Sequence, residues 1–247
     1  MPQPPDRSPD APTATPGAAI GVPQRIGEVD GIVALSKPVG WVAHAAMARE
    51  THDLRAWCAM QLDLPRGLEP LHRLDRDTSG VLLYAADPAV RARVGAWFTS
   101  GATAGAATAD ADRPIHKTYL ALVYGKAHRK GVIRTPLAPD HPGPPQDALT
   151  RYRAVEQLGG FTLLRVHPET GRKHQVRRHL HEIGHPIVGD ERYRPKRFIA
   201  VPGFPNRLWL HAWKIELPGG IVFEAPLPPE LVAHLEILRA GCTRPAV

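Results

Sequence analysis

The stretch from Leu71 to Tyr84, LHRLDRDTSGVLLY, constrains the chain more than any other. Val81-Leu82-Leu83-Tyr84 is a short apolar run bounded by small and polar residues, the pattern of a buried strand. Thr78-Ser79-Gly80 leads into it, so the preceding residues form a loop that presents Asp75 at the strand's mouth. Asp75 is flanked by His72, Arg73 and Arg76. Opposite charges nearby favour the ionised carboxylate. Such an anion suits either a catalytic group or a structural ion pair, and lone Asp residues in turns are common.

Similar short runs punctuate the rest of the chain. Ile32-Val33-Ala34-Leu35 reads as a buried strand, followed by a Ser36-Lys37-Pro38-Val39-Gly40 turn. Lys37 there reads as an exposed turn lysine, with a phosphate contact as the alternative. His44 to Leu62 is amphipathic and is predicted to be a helix, ended by Pro65 and Gly67. Asp87-Pro88 is an N-cap followed by proline at the first helical position, opening a helix to about Phe98. The Gly, Ala and Thr run from Ser100 to Asp112 is expected to be a mobile loop.

His116 to Gly125 is a strand, with Tyr119, Ala121 and Val123 on one face and Leu120, Leu122 and Tyr124 on the other. Five prolines between Pro136 and Gln146 exclude regular structure and leave a lid or a surface loop. Leu149–Leu158 and Phe161–His167 pair as a hairpin across Gly159-Gly160. Further strands are expected at Leu208–Ala212 and Gly220–Ala225, and a closing helix from Pro229 to Ala240.

In Thr170-Gly171-Arg172-Lys173-His174-Gln175-Val176-Arg177-Arg178-His179-Leu180, the residues Val176, Leu180 and Ile183 recur on one helical face. Arg172 and Lys173 stand where that helix starts. Cations there oppose the macrodipole, so an anion that they serve explains them better than helix stability does.

Charge placement supports the same region. The chain of 247 residues carries a formal net charge of +7, and residues 165–197 contribute +5 of it. A concentration of that kind is the electrostatic footprint expected for phosphates, although a solvated basic helix face looks similar. Cys58 and Cys242 are the only cysteines, so neither a disulfide framework nor a thiolate metal site is indicated. This fits a reducing, cytoplasmic compartment. No run approaches the roughly 18 apolar residues of a membrane span, and no signal-peptide pattern opens the chain. Residues 1 to about 25 are rich in Pro, Ala, Thr and Asp, the composition of a disordered tail.

His72-Arg73-Leu74-Asp75-x-x-Thr78-Ser79-Gly80 resembles the signature of the RluA-type pseudouridine synthases. Other segments resemble the same family in order: the Lys37-Pro38-x-Gly40 turn, Lys117-Thr118-Tyr119, Thr170-Gly171-Arg172-x-His174-Gln175, Gly184–Asp190 and Leu208–Ala212. The resemblance runs from about Ile32 to the closing helix. It implies an α/β domain of the α+β type over residues 26–247. The expected fold is a mixed, largely antiparallel central sheet with flanking helices around a central cleft. The tail is too short to be the separate RNA-binding domain that many relatives carry.

By this resemblance Asp75 is the catalytic carboxylate, Arg172 its ionic partner and Tyr119 the ring that stacks on a flipped uridine. Arg73 would fill the space the uridine leaves. His72, Lys173, Arg177 and Arg178 would contact RNA, with Leu210 lining the site. The implied reaction isomerises a uridine in tRNA or, second, ribosomal RNA, with no metal or organic cofactor. Without the family, Tyr119 reads as a core aromatic.

His181-Glu182-Ile183-Gly184-His185 also satisfies the H-E-x-x-H pattern of zinc hydrolases. That motif needs both histidines on one face of a continuing helix, whereas Gly184 and Pro186 are expected to end the helix. Val188 stands where the longer zinc motif wants glycine. A third possibility is a catalytically idle RNA-binding protein on the same scaffold.

Overall fold

A computed structural model describes residues 21–45, 51–61, 63–100, 115–197 and 199–243. Ten strands form one sheet: β1 (Gln24–Val29), β2 (Ile32–Lys37), β3 (Glu69–Pro70), β4 (Ser79–Ala85), β5 (His116–Tyr124), β6 (Lys130–Ile133), β7 (Thr150–Leu158), β8 (Phe161–Pro168), β9 (Leu210–Glu216) and β10 (Val222–Glu224). The main order is β1-β2-β4-β9-β5-β8-β7-β6, with β3 paired to β4 and β10 to β9. Among the described residues four α-helices flank it: α1 (Leu54–Met60), α2 (Pro88–Ser100), α3 (Gln175–Glu182) and α4 (Pro229–Thr243). The expected mixed, largely antiparallel architecture is therefore present.

Among the paired named strands only β4 and β9 run parallel, matching Ser79 with His211 and Gly80 with Ala212. This pairing joins two half-sheets. Gly80 has φ +121°, and a Cβ there would meet the Ala212 carbonyl oxygen at 2.1 Å, so the close approach admits only glycine. A buried chain of polar contacts ties the junction. Arg207 Nη2 donates to Ser79 Oγ at 2.7 Å, Ser79 Oγ lies 2.8 Å from His211 Nδ1, and His211 Nε2 lies 3.0 Å from the Ala225 carbonyl. Burial depresses the His211 pKa to about 4. The neutral ring then donates from Nε2 to Ala225 and accepts from the serine hydroxyl at Nδ1.

Each half has its own apolar packing. Residues of β2 and β4 face α1 through Val33, Leu35, Leu82 and Tyr84, and the opposite side packs Val81 and Leu83 against Val94 of α2. The other half gathers Ala121, Leu164, Val166, Val176 and Leu180 under α3 and α4. Tyr119 touches core clusters on both sides of the junction.

Several expectations change in extent. Strand β1 begins at Gln24, inside the span expected to be tail, and a two-residue Asp30-Gly31 turn with φ of +52° and +77° joins it to β2. The helix expected over His44–Leu62 is confined, among the described residues, to Leu54–Met60. Asp53 caps it by accepting from the Arg55 and Ala56 N–H groups. Residues 1–20 of the expected tail and 101–112 of the expected mobile loop lie outside the described residues. The hairpin of β7 and β8, the strand at β5 and the end of α3 before Gly184 match the sequence reading.

Candidate active site

Asp75 opens a turn whose Thr78 N–H donates to the Asp75 carbonyl at 3.1 Å, and the buried Thr78 leads into β4 at the buried Ser79. The carboxylate is left with 22% of its side chain exposed. Arg177 Nη1 stands 3.7 Å from Oδ2, and His174 Nε2 stands 3.8 Å from Oδ1. These separations are too long for hydrogen bonds. Asp75 is thus steered by its neighbours without being consumed by them.

Arg177 itself is held firmly. Its Nε and Nη2 donate to the two oxygens of Asp190 at 2.7 and 2.9 Å, and its guanidinium lies 5.3 Å from the centre of the Tyr193 ring. Asp190 also accepts from the Arg192 and Tyr193 N–H groups. Burial raises the Asp190 carboxyl, but its bonds to Arg177 and to these amides outweigh that and hold it below the usual range. Arg177 therefore brings a fixed positive charge to Asp75 on a preformed fork.

The start of α3 explains which arginine reaches the carboxylate. Gln175 is buried and uses its whole amide. Its Oε1 accepts from the Arg172 N–H at 3.0 Å and from Thr170 Oγ1 at 2.6 Å, while Nε2 donates to the Leu149 carbonyl and Thr150 Oγ1. This pins residues 170–174 as a turn ahead of the helix, with His174 at φ +53°. Arg172 in that turn points to the loop before β7, where its Nε donates to the Asp147 carbonyl at 3.1 Å. The expected Asp75–Arg172 pair is replaced by Asp75–Arg177, because Arg177 lies inside the helix and Arg172 before it.

The other expected RNA contacts also sort by burial. Arg177 has 6% of its side chain exposed, so it is no phosphate grip. Lys173 pairs with Asp140 at 2.5 Å, and Arg178 donates to the Ala138 carbonyl at 2.9 Å. Both thus tie down the Pro136–Gln146 loop, whose ends are joined by paired Leu137 and Gln146 backbone bonds. His72 accepts the Leu83 N–H at Nε2 and packs 5.3 Å from Phe98. Burial, aided by Lys117, lowers its pKa to about 3, so it is a neutral structural ring rather than a contact for phosphate. Leu210 is 3% exposed and sits in the core beneath the site. Arg73 is exposed beside Asp75 and available to an incoming group. Tyr119 lies half-buried on β5, its hydroxyl pKa pushed up by burial and then by the Asp75 charge, so it is a neutral phenol.

Lys37, read as an exposed turn lysine, is fully buried. Its ammonium donates to the carbonyls of Pro38, Trp41 and Arg76 at 3.0, 2.9 and 2.9 Å. It binds the β2 turn to the residue after Asp75. Burial lowers its pKa to about 7. Sequence reasoning also missed His174, Asp190 and Tyr193 as parts of the site. His174 and Asp190 lie within motifs already noticed, but nothing in the spacing shows that they converge.

The zinc pattern comes apart. Helix α3 ends at Glu182, and Gly184 takes φ +81°. His185 Nδ1 instead lies 2.9 Å from the Tyr124 carbonyl. Among the described residues, no group of three or more His, Cys, Asp or Glu side chains converges for a metal.

Comparison with known proteins agrees with the geometry. The family profile of RNA pseudouridylate synthases matches residues 31–182. A dual-specificity RNA pseudouridine synthase RluA of Vibrio cholerae is 33% identical over 75% of this chain and 73% of its own. A tRNA pseudouridine synthase C of Haemophilus ducreyi is 30% identical, over 74% of this chain and 80% of its own. For a ribosomal large subunit pseudouridine synthase D of Nitrosomonas europaea the identity is 34% over 86% of this chain, which spans 64% of that relative's length. The solved structure of human RNA pseudouridylate synthase domain containing 4 has the same fold, with TM-score 0.70 and 23% identity, covering 87% of this chain and 92% of that one. The chain belongs to the RNA pseudouridylate synthase family, of the RluA type, and the zinc-hydrolase reading falls.

Proposed function

We propose that the protein converts a uridine in structured RNA to pseudouridine, with Asp75 as the catalytic carboxylate. The observation that carries this reading is the pairing of a partly exposed carboxylate with a buried, locked arginine, beside the half-buried Tyr119. The reaction breaks the bond from C1′ to N1 of the base and makes one from C1′ to C5, the C5 proton leaves, and the released N1 takes up a proton. Atoms balance without redox or group input, so no metal or organic cofactor is called for.

A uridine stacked in RNA must leave its stack to reach Asp75. Arg73, exposed on the same loop, occupies the space left behind. Tyr119 offers its ring to the flipped base, and its neutral hydroxyl stands available for proton movement. Asp75 acts on the flipped nucleotide, at ribose or base, with the fixed Arg177 guanidinium 3.7 Å from its carboxylate. The target is tRNA first and ribosomal RNA second, on the Gly171–Gln175 and Arg177–Leu180 pattern, and the site of action is cytoplasmic.

The test is carbodiimide mapping of pseudouridines in RNA from cells lacking the protein, complemented with wild type or Asp75→Ala. A primer-extension stop that disappears in the deletion, returns with wild type and stays absent with Asp75→Ala is the expected result. Unchanged stops in tRNA and ribosomal RNA would contradict it.

A further inference from the structure

The basic segment of residues 165–197 divides in three dimensions, and one part of it faces away from the cleft. Tyr119 pairs with Val166, and Leu120 pairs with Arg165. Successive residues on a strand point to opposite faces, so Arg165 lies on the side of the sheet opposite Tyr119. The register continues across the sheet: Arg165 opposite Arg153, and Arg153 opposite Lys130. Lys130, Arg153 and Arg165 therefore form one transverse row on three adjacent strands, and all three are exposed.

The next row is built differently. Arg151 pairs with Glu169, and Lys214 with Glu216. Among the described residues, Lys130, Arg153 and Arg165 form no ion pair. Like charges directly opposite one another on neighbouring strands are destabilising, and this sheet compensates the adjacent cations but not these. The row is also given a platform. The Arg165 guanidinium lies 5.1 Å from the Trp213 ring and Lys214 Nζ lies 5.7 Å from it. Val132 on the same face is 46% exposed.

We infer that the back face of the β6-β7-β8 sheet, through Lys130, Arg153 and Arg165, is a second RNA-backbone contact surface, engaged by the part of the substrate that lies beyond the flipped uridine. This rests on the RNA reading of the front cleft. Strand β6 is the edge of the sheet, and the Pro136–Gln146 loop that follows it is tied to α3 on the cleft side. A polyanion leaving the cleft around that edge meets Lys130 first, then Arg153, then Arg165 with its indole support. Guanidinium and ammonium groups without internal carboxylates match phosphates, and contacts of this kind add affinity without reading sequence.

The test uses the full chain with Lys130→Gln, Arg153→Gln and Arg165→Gln combined, and Arg153→Gln alone. Binding is measured against bulk tRNA and against a single-stranded oligouridine of roughly eight nucleotides, a length that one compact site accommodates. Uridine isomerisation is assayed separately. The triple variant is expected to bind tRNA about tenfold more weakly near 0.1 M salt, with the slope of log K against log salt reduced by about 2 to 3, since each neutralised phosphate contributes about 0.9. The single variant is expected to move about a third as far on that slope. Oligouridine affinity is expected to stay unchanged. Equal tRNA affinity and equal slope in wild type and triple variant would overturn the inference and leave the isomerase reading intact. An equal loss for oligouridine would overturn it too, because the effect would then belong to the cleft or the fold. A wild type that isomerises no uridine yet shows the slope difference would remove the activity and keep the face.

Discussion

The two sides of the candidate site are built to different tolerances. On the α3 side the buried polar groups are held by direct bonds: the Gln175 amide is fully bonded, His179 lies 2.8 Å from Thr150 Oγ1 and 3.0 Å from the Thr135 carbonyl, and Arg177 holds both oxygens of Asp190. On the other side, Lys37 and Thr78 fix only the backbone of the Asp75 loop, and the carboxylate stands 3.7 Å from Arg177 and 3.8 Å from His174. The contrast assigns roles. A charge that must only stabilise another charge is preorganised by rigid bonds, while in the proposed function Asp75 is the group that reacts and keeps its lone pairs free for the substrate.

The comparison is sharpened first by Asp75→Asn. This isostere is expected to lower turnover on the order of 10³-fold, the scale of a lost acid–base or covalent group, with the thermal midpoint held. A large drop in stability would mean that the loop depends on Asp75 for its shape and would erase the contrast. Asp190→Asn attacks the rigid side instead. Removing one partner of a buried ion pair costs about 3–5 kcal/mol, so chemical denaturation should show a lower midpoint while RNA affinity changes little.

The junction between half-sheets should respond more mildly. Ser79→Ala leaves Arg207 Nη2 and His211 Nδ1 short of one partner each, an expected loss of about 1–3 kcal/mol read by the same denaturation. Acid tests the buried histidines. His72 and His211 titrate at about 3 and about 4 in the folded protein against 6.5 when free. Below 6.5 the unfolded chain takes up protons that the folded chain does not, so stability is complete above 6.5 and is lost as pH falls toward 3. His211→Gln should flatten part of that loss in melts between pH 7 and 4. The smallest effect expected is none: a chelator should leave uridine isomerisation unchanged, because His181 and His185 do not share a helix face.

The sequence made the scaffold legible where periodicity or turn chemistry is local. Strand β5, the Gly159-Gly160 hairpin and the end of α3 before Gly184 all follow from short windows. Strand β1 carried its own signal in Asp30-Gly31, hidden because the preceding residues have a tail-like composition. The Asp75 turn before β4 and the place of Tyr119 on β5 were readable through their motifs. The arginine beside Asp75 was not. Arg172 and Arg177 lie five apart in one basic segment, and the difference between them is whether the helix begins before or after Gln175. That boundary is set by the Gln175 amide bonding to Leu149 and Thr150, residues 26 and 25 positions away in sequence. Lys37 misled for a related reason: its three carbonyl partners include Arg76, 39 positions distant, and no local pattern shows that they surround it.

The central claim, that Arg177 rather than Arg172 serves Asp75, is tested most directly by single-turnover isomerisation at saturating RNA. Arg177→Gln and Arg172→Gln would be compared with wild type, with rates normalised to the folded fraction measured by circular dichroism. Removing a preorganised charge from a reacting site costs on the order of 10²-fold or more. Arg177→Gln is therefore expected to fall by at least that much, with Arg172→Gln close to wild type. A collapse with Arg172→Gln and a near-normal rate with Arg177→Gln would contradict the assignment.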